Sequence, residues 1–165
     1  MNTIQDLIKR LHEFKVEFVV IGGVAAVLHG SAHVTVDLDV CSPLDEQNLQ
    51  RIIDALRGLN PRFRMHPSKP PLYEDVKQLI GFFNLNLDTD WGILDILGEV
   101  TGVGFYADVA KHTVETSLAG FNIRILDLPA LIQAKHAAHR LKDLRMIPEL
   151  EFLMEQRKPR SDEAK

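Results

Sequence analysis

The sequence predicts an α+β fold in which helices pack mainly on one face of a mixed β-sheet. Two observations support this prediction. The hydrophobic periodicity gives the order helix, strand, helix, strand, helix, then mostly strands and finally helices, which is typical of an α+β sheet. The 165 residues, 45% hydrophobic and 25% charged, suit one globular domain. We therefore expect a single domain over residues 1 to 156 and a disordered polar tail over residues 157 to 165.

The first part of the chain alternates helices and strands around two glycines. Apolar residues at i, i+3 and i+4 spacing predict a first helix, and the apolar run after it predicts a buried strand that ends at Gly22 and Gly23. A short helix closed by Gly30 follows, and then a strand of strictly alternating character. The expected ranges are a helix over 3–15, a strand over 17–21, a helix over 24–29 and a strand over 33–41.

The remaining elements are predicted from caps, prolines and alternation. Ser42 and Pro43 predict the start of a third helix, because serine caps helices and proline suits the first turn. Asp127 is expected to cap a later helix, and Pro148 predicts a kink or break in the last one. The other expected ranges are a long loop with four prolines over 60–71, hairpin strands over 81–87 and 92–97, strands over 111–118 and 121–126, and helices over 128–139 and 143–156.

Composition excludes several classes of protein. The net charge of −4 argues against non-specific coating of nucleic acid, which requires many contacts of Lys and Arg with phosphates. The longest apolar run is too short to span a bilayer, and the N-terminus lacks the features of a signal peptide. The single cysteine, Cys41, excludes an internal disulfide and suits a reducing compartment, so we expect a cytoplasmic location and an inert buried thiol.

A pair of aspartates on the predicted strand 33–41 is the first candidate for chemistry. Asp37 and Asp39 are separated by one residue, so their side chains leave the same face, roughly 6 to 7 Å apart. Two carboxylates on one face repel each other, and a hard cation such as Mg²⁺ would relieve that repulsion. The alternative is ordinary solvent-facing alternation. The opposite face is expected to anchor the strand through Val34, Val36, Leu38 and Val40.

The glycine pair is the second candidate. Gly22 and Gly23 follow a buried strand and precede a helix, so the backbone can approach a ligand closely while free amides and the helix dipole attract phosphate. A double glycine is also a common plain turn. In this chain, however, the order strand, Gly-Gly, helix, strand, Asp-x-Asp brings anion-binding amides and metal-binding carboxylates to the ends of adjacent strands.

The segment from Ile21 to Val40, IGGVAAVLHGSAHVTVDLDV, resembles the signature of the nucleotidyltransferase superfamily. That signature is a hydrophobic residue, Gly-Gly or Gly-Ser, a spacer of about a dozen residues, and Asp-hydrophobic-Asp-hydrophobic. The superfamily includes DNA polymerase beta, kanamycin nucleotidyltransferase and the minimal nucleotidyltransferases of toxin–antitoxin and abortive-infection systems. The segments around Leu87 to Asp95 and Lys135 to Asp143 are similar to its small stand-alone members, so the resemblance covers most of the chain and implies the nucleotidyltransferase fold.

The resemblance implies a site for a nucleoside triphosphate and divalent cations. Asp37 and Asp39 would bind Mg²⁺ or Mn²⁺, and Asp95, on a neighbouring strand, would complete the metal site and serve as a candidate general base. An acceptor hydroxyl would attack the α-phosphate and expel pyrophosphate. The residues implied to hold the triphosphate are Gly22, Gly23, Ser31, Lys135 and Lys142. Many small relatives have an arginine where this chain has His33, which leaves phosphate neutralisation there open.

Two main functions remain open at this stage. The first is an enzyme that transfers a nucleoside monophosphate to a small molecule, an RNA end or a protein. The second is a regulatory, antitoxin-like subunit that keeps the fold, binds nucleotide or a partner chain and turns over poorly. A purely structural domain is a third. In a short chain the acceptor site would have to come from the loop 60–73, the C-terminal helices or a second protein, and an acidic acceptor could contact Arg62, Arg64 and Lys69.

Overall fold

A seven-stranded mixed sheet with flanking helices forms the centre of the protein, as seen in a computed structural model that describes residues 3 to 158. The helices are α1 (Ile4–Glu13), α2 (Gly22–Leu28), α3 (Glu46–Leu56), α4 (Tyr106–Val109), α5 (Leu128–Ala138) and α6 (Leu141–Gln156). The strands are β1 (Val19–Val20), β2 (Asp37–Cys41), β3 (Arg62–Phe63), β4 (Asn84–Thr89), β5 (Gly92–Leu97), β6 (Glu99–Val100), β7 (Gly104–Phe105), β8 (Thr113–Leu118) and β9 (Phe121–Leu126).

The order of strands in the main sheet is β3-β4-β5-β2-β1-β9-β8. The β4–β5 and β8–β9 pairs are antiparallel hairpins, whereas β2 runs parallel to β5 and β1 runs parallel to β9. Strands β6 and β7 form a separate two-stranded ribbon. The α+β class predicted from the sequence is therefore confirmed. Within residues 3 to 158, no helix is both long and apolar enough to cross a membrane.

The central strands have one apolar face and one polar face. The apolar face joins the stripes of α1 and α3 in one hydrophobic core, in which the strand residues are at most 1% exposed: Leu38, Val40, Leu85, Leu87, Leu94 and Ile96. The alternate residues of β2, β4 and β5 point to the other side, and among them are Asp37, Asp39, Asn86, Asp88 and Asp95. Packing on one side of the sheet therefore holds a row of polar side chains on the other.

The strand predicted over 33–41 is shorter than expected. It begins at Asp37, and Val34 and Val36 are 82% and 72% exposed, so they do not anchor it. The reason lies in the partner strand: β5 begins at Gly92, immediately after the hairpin turn, and its pairing with β2 starts at Asp37 opposite Ile93. Only Gly92 of β5 precedes Ile93, so the residues before Asp37 have almost no partner on β5, and an unpaired segment does not continue the strand.

The third helix also begins later than predicted. Asp45, not Ser42, caps α3 by accepting a hydrogen bond from the Asn48 amide at 3.0 Å. The Ser42 hydroxyl donates instead to the Glu17 carbonyl at 2.6 Å. A capping residue needs a side-chain acceptor and an extended backbone immediately before the helix. Ser42 does not cap α3 because its hydroxyl bonds to a nearby carbonyl, so Asp45 is the cap.

Other boundaries differ in smaller ways. The loop 60–71 contains β3, and α4, β6 and β7 were not predicted, since elements of two to four residues carry no periodicity. The Asp127 cap of α5 is confirmed by its bond from the Ala130 amide at 2.8 Å. Helix α6 continues through Pro148, so the expected break does not occur. His139 adopts φ 53° between α5 and α6, which places Lys135 and Lys142 on different helices.

His29 ties three elements together at the end of α2. Its Nε2 lies 2.8 Å from the Leu126 carbonyl, and its Nδ1 lies 2.9 Å from an Arg157 nitrogen. The carbonyl can only accept and the guanidinium can only donate, so the ring is the neutral Nε2–H tautomer. Burial lowers the pKa of His29 below its ordinary value, and the charge of Arg157 adds to that effect. Arg157, which was predicted to lie in the tail, is thus fixed to α2; residues 159–165 lie outside the described part.

A pH dependence of stability follows from this histidine. The folded chain keeps His29 neutral, whereas the unfolded chain protonates it below about pH 6.5. The stabilisation is therefore fully present above pH 6.5 and is lost as the pH falls toward the lowered folded-state pKa. In urea unfolding, we expect His29→Gln to be less stable than the wild type by about 1–2 kcal/mol at pH 7.5, with the gap narrowing toward pH 5. The exposed His136→Gln variant is the control, and a gap that widens in acid would contradict the assignment.

Candidate functional site

The polar face of the sheet carries a row of four side chains, which extends from β2 through β5 and β4 to the residue that follows β3. Asp39 of β2 and Asp95 of β5 are directly paired, and Asn86 of β4 lies opposite Asp95. The Arg64 amide, just after β3, donates to the Asn86 carbonyl at 3.0 Å and so extends the row by one residue. Directly opposed residues share a face of the sheet. Asp37 precedes Asp39 by two residues on the same face, so the three predicted carboxylates lie on one side.

Asp95 is held by two neighbours in this row. Its carboxylate forms an ion pair with the Arg64 guanidinium, and its other oxygen accepts a hydrogen bond from the Asn86 amide at 2.9 Å. The residue is 8% exposed. Each carboxylate oxygen therefore has a protein partner. Asn86 of β4 and Arg64, which follows β3, fix the position and orientation of Asp95.

Asp39 lies where a negative charge is unfavourable. Burial, followed by the charges of Asp95 and Asp37, raises the pKa of Asp39 from its ordinary range to about 6. Lys142 and Arg140 act in the opposite direction but do not compensate. A carboxylate that is crowded by like charges and removed from water is stabilised when a cation binds beside it.

The two glycines are required by close approach to β2 and do not form a plain turn. Gly22 has φ +63°, and a Cβ there would overlap the Asp39 Oδ2 atom. A Cβ on Gly23 would lie 2.9 Å from the Cβ and Oγ1 atoms of Thr35, which is too close for real side chains. The backbone at the start of α2 therefore lies directly against the aspartate strand, a spacing that only glycine allows.

A basic cluster from α5 and α6 faces the carboxylates. Lys135 is 6% exposed and its ammonium lies 3.1 Å from Asp143, which also accepts from Arg140 at 2.5 Å. Burial alone would raise the pKa of the Asp143 carboxyl, but the hydrogen bonds and charges of Arg140 and Lys135 outweigh it, so the pKa lies below its ordinary value. Lys142, on the first turn of α6, is exposed, and its charge acts on Asp39.

A cavity of about 350 Å³ lies between the polar face of the sheet and these two helices. It is lined from the sheet side by Gly22, Asp39 and Asp95 and from the helix side by Lys135, Arg140 and Asp143. Sequence positions more than a hundred residues apart thus meet at one cavity that has carboxylates on one wall and cations on the other. Such a cavity suits a ligand that carries both an anionic group and a bound cation.

The structure gives Ser31 a different setting from the predicted one. Its hydroxyl donates to Glu149 at 2.8 Å and accepts from the His33 amide at 3.1 Å, and Glu149 also accepts from the Ala32 amide at 2.7 Å. Ser31 does not line the 350 Å³ cavity. The Ser31 hydroxyl is therefore bonded to Glu149 of α6, and its contact with phosphate stays a prediction.

Three residues of the site were not among the predicted ones: Arg64, Asn86 and Arg140. The alternation Asn84-Leu85-Asn86-Leu87 could have placed Asn86 on the polar face, because the leucines need the core. Arg64 was predicted only as a contact for an acidic acceptor, and Arg140 was assigned no role. Nothing in the sequence pairs Arg64 with Asp95, since that contact depends on how β3 docks on β4.

The donor set fits one divalent cation better than two. Asp37 and Asp39 offer hard oxygen ligands and a need for positive charge. Asp95, however, already has Arg64 and Asn86 as partners. Among residues 3 to 158, no group of three His, Cys, Asp or Glu side chains is arranged to hold a metal ion. Outside the site, Cys41 is buried, and burial raises the pKa of its thiol to about 12, as expected of an inert thiol.

Comparison with known proteins shows similarity in structure. No protein-family model and no curated protein matches the sequence. A protein of Thermotoga maritima, TM1012, classed as a nucleotidyltransferase, is 20% identical over 92% of this chain and 91% of its own, with a TM-score of 0.55. The lincosamide antibiotic adenylyltransferase LnuA, in a lincomycin-bound structure, is 19% identical over 93% and 99%, with a TM-score of 0.59. The chain therefore has the nucleotidyltransferase fold predicted from its first motif.

A glycine substitution tests the close approach of α2 to β2. Gly22→Ala introduces a Cβ that overlaps Asp39, in addition to the left-handed backbone penalty. Gly58, at φ +83° with no atom within 4 Å of a built Cβ, is the matched control, because Gly58→Ala carries only the backbone penalty of about 1–2 kcal/mol. We expect Gly22→Ala to cost at least about 1 kcal/mol more in urea unfolding. Equal losses in the two variants would show that Asp39 does not pack against the glycine.

Proposed function

We propose that this protein is a divalent-metal-dependent nucleotidyltransferase that transfers a nucleoside monophosphate from a nucleoside triphosphate to a hydroxyl group. One observation carries the proposal: Asp39 lies beside a sterically obligatory glycine on the wall of a cavity whose other wall carries Lys135 and Arg140, and Asp37 lies two residues away on the same face of the strand. The shared fold with TM1012 and LnuA supports it. LnuA is an adenylyltransferase, and our proposal assigns the transfer of a nucleotidyl group to this chain as well.

The triphosphate would lie between the glycine backbone and the helix cations. Gly22 and Gly23 allow the backbone to approach phosphate oxygens without a side chain in between. Lys135 and Arg140 are both bonded to Asp143, whereas Lys142 is exposed and can turn toward a ligand. These cations would offset part of the charge of the phosphates.

Asp37 and Asp39 would hold Mg²⁺ or Mn²⁺ together with phosphate oxygens, and the ion would stabilise negative charge that develops on the phosphates during transfer. The acceptor oxygen forms a bond to the α-phosphorus, the bond from that phosphorus to the bridging oxygen breaks, and pyrophosphate leaves. The acceptor proton passes to a carboxylate oxygen of Asp95, which keeps a second lone pair beside each of its present bonds.

The acceptor, we propose, enters through a second cleft of about 290 Å³ at the edge of β4. The cleft shares Met65 and Asn86 with the cavity of the site. Three aromatic rings meet there, with the Phe63 ring centroid 5.1 Å from that of Tyr73 and 5.7 Å from that of Phe82. A small molecule with an apolar body and a hydroxyl directed toward Asp95 fits this surface.

An acidic acceptor is less favoured than the sequence suggested. Arg64 pairs with Asp95, Lys69 pairs with Asp88 at 2.8 Å, and Arg62 donates to the Lys69 carbonyl at 3.2 Å. The cations of the 60–73 loop are therefore engaged within the protein. LnuA, a lincosamide antibiotic adenylyltransferase whose structure holds lincomycin, is similar in fold, which agrees with a small-molecule acceptor.

The second candidate function is a regulatory subunit that binds nucleotide without turning it over. The ion pair of Asp95 with Arg64 favours it, because a carboxylate engaged in this way is less available to accept a proton. The two functions differ in one observable. Incubation with α-labelled nucleotide, Mg²⁺ and a cell extract labels a product only if the protein is a transferase.

Removal of the aspartate pair tests the metal site. We expect Asp37→Asn with Asp39→Asn to weaken Mg²⁺-dependent ATP binding at least about tenfold in calorimetry, because the ligands of the ion are lost. Wild-type protein in EDTA should resemble the variant. Glu74→Gln with Asp90→Asn removes the same charge from exposed positions and is the control. Unchanged Mg²⁺-dependent affinity in the first variant would refute the assignment.

The acceptor cleft is tested with aromatic variants. Tyr73→Ala with Phe82→Ala should lower kcat/KM for labelling of the small-molecule fraction of a cell extract by roughly 10- to 100-fold, through loss of apolar contact. The Kd for ATP should stay unchanged. Phe105→Ala with Phe152→Ala alters exposed aromatics elsewhere and should have no effect on either quantity. Label that appears only on RNA or protein would contradict a small-molecule acceptor.

A further inference from the structure

We infer that Arg64 takes the place of a second divalent cation at Asp95, so that the site operates with one metal ion, held by Asp37 and Asp39. The inference rests on the proposed function and adds to it the metal content of the site. Three independent features of Arg64 support it: its position in the sheet, its charge and its confinement.

The position of Arg64 is set by the backbone. Its amide donates to the Asn86 carbonyl at 3.0 Å, so the residue continues the register in which Arg62 pairs with Asp88 and Phe63 with Leu87. This register points the Arg64 side chain to the same face as Asn86, Asp95 and Asp39. The register of the sheet therefore directs the guanidinium to Asp95. Arg64 belongs to the row of polar side chains and is not a mobile surface residue.

The charge of Arg64 occupies the place that a second ion would need. A divalent cation shared by Asp39 and Asp95 would have to bind an Asp95 oxygen, where it would compete with the Arg64 guanidinium and the Asn86 amide. It would also lie within a few ångströms of a guanidinium, where two like charges repel in a partly buried site. Arginine keeps its charge at all physiological pH values, so it cannot yield by losing a proton.

The side chain is also confined. The ion pair leaves 26% of the Arg64 side chain and 11% of the Asp95 side chain exposed. The Arg64 Nε atom is buried and has no hydrogen-bond partner. A buried donor without a partner is unfavourable. The ion pair with the carboxylate therefore has to offset that cost and holds the guanidinium in place. At the other end of the row, Asp39 forms no ion pair with a side chain of residues 3 to 158.

The number of ions is measured by electron paramagnetic resonance of Mn²⁺ bound with an ATP analogue that carries a methylene between the α- and β-phosphates. Two metal ions in one catalytic site lie about 4 Å apart and couple magnetically. We expect the wild type to give the spectrum of isolated Mn²⁺. Arg64→Ala should give the spectrum of a coupled pair, because the carboxylate of Asp95 becomes accessible and loses its counter-charge.

Arg62→Ala is the matched control, because Arg62 lies two residues before Arg64 on the same strand face but donates to a carbonyl of its own loop and not to Asp95. It should keep the isolated spectrum. Arg64→Gln, which is neutral and keeps the unbranched stem of arginine as far as Cδ, serves as a second variant if Arg64→Ala does not fold, and the same coupled pair is expected from it.

A coupled pair in the wild type would overturn the inference while leaving nucleotidyl transfer intact. Isolated Mn²⁺ in both folded Arg64 variants would also overturn it, because Arg64 would then not be what excludes the second ion. Failure of the proposed function is seen separately, as absence of binding of the analogue in calorimetry, and the inference would fall with it.

Discussion

The structure depends on one electrostatic constraint, the crowding of Asp37, Asp39 and Asp95 on the polar face of two parallel strands. The sheet maintains this crowding because the alternate residues, including Leu38 and Leu94, are buried in the core on the other face. Burial and mutual repulsion leave Asp39 with a raised pKa. Packing energy on one side of the sheet thus sustains an unfavourable arrangement of charge on the other, which is a common property of binding sites.

Arginine and lysine side chains from the surrounding elements balance that negative charge. Arg64 neutralises Asp95 from the edge of the sheet, and Lys135 is committed to Asp143 between α5 and α6. Arg140 and Lys142 act on Asp39 from the first turn of α6 while remaining exposed. Cations that are bonded to carboxylates therefore line the cavity.

Much of the fold followed from periodicity and capping. Strands β5 and β9 and the Asp127 cap of α5 were predicted correctly, because an alternating pattern or a single side-chain acceptor specifies each of them locally. The strand 33–41 was predicted too long, since alternation persists where no partner strand exists. Short elements such as β3 were missed because two residues carry no pattern, although β3 brings Arg64 to the site.

The sequence by itself determined the aspartate pair, the glycines beside it and their order along the chain, because spacing on a strand and the absence of a Cβ are local properties. The tertiary structure alone decided which groups meet them. It brought Arg64 to Asp95, joined Ser31 to Glu149, and separated Lys135 from Lys142 by a left-handed residue at His139. These contacts depend on the docking of strands and helices distant in sequence, and that docking is set by the whole core.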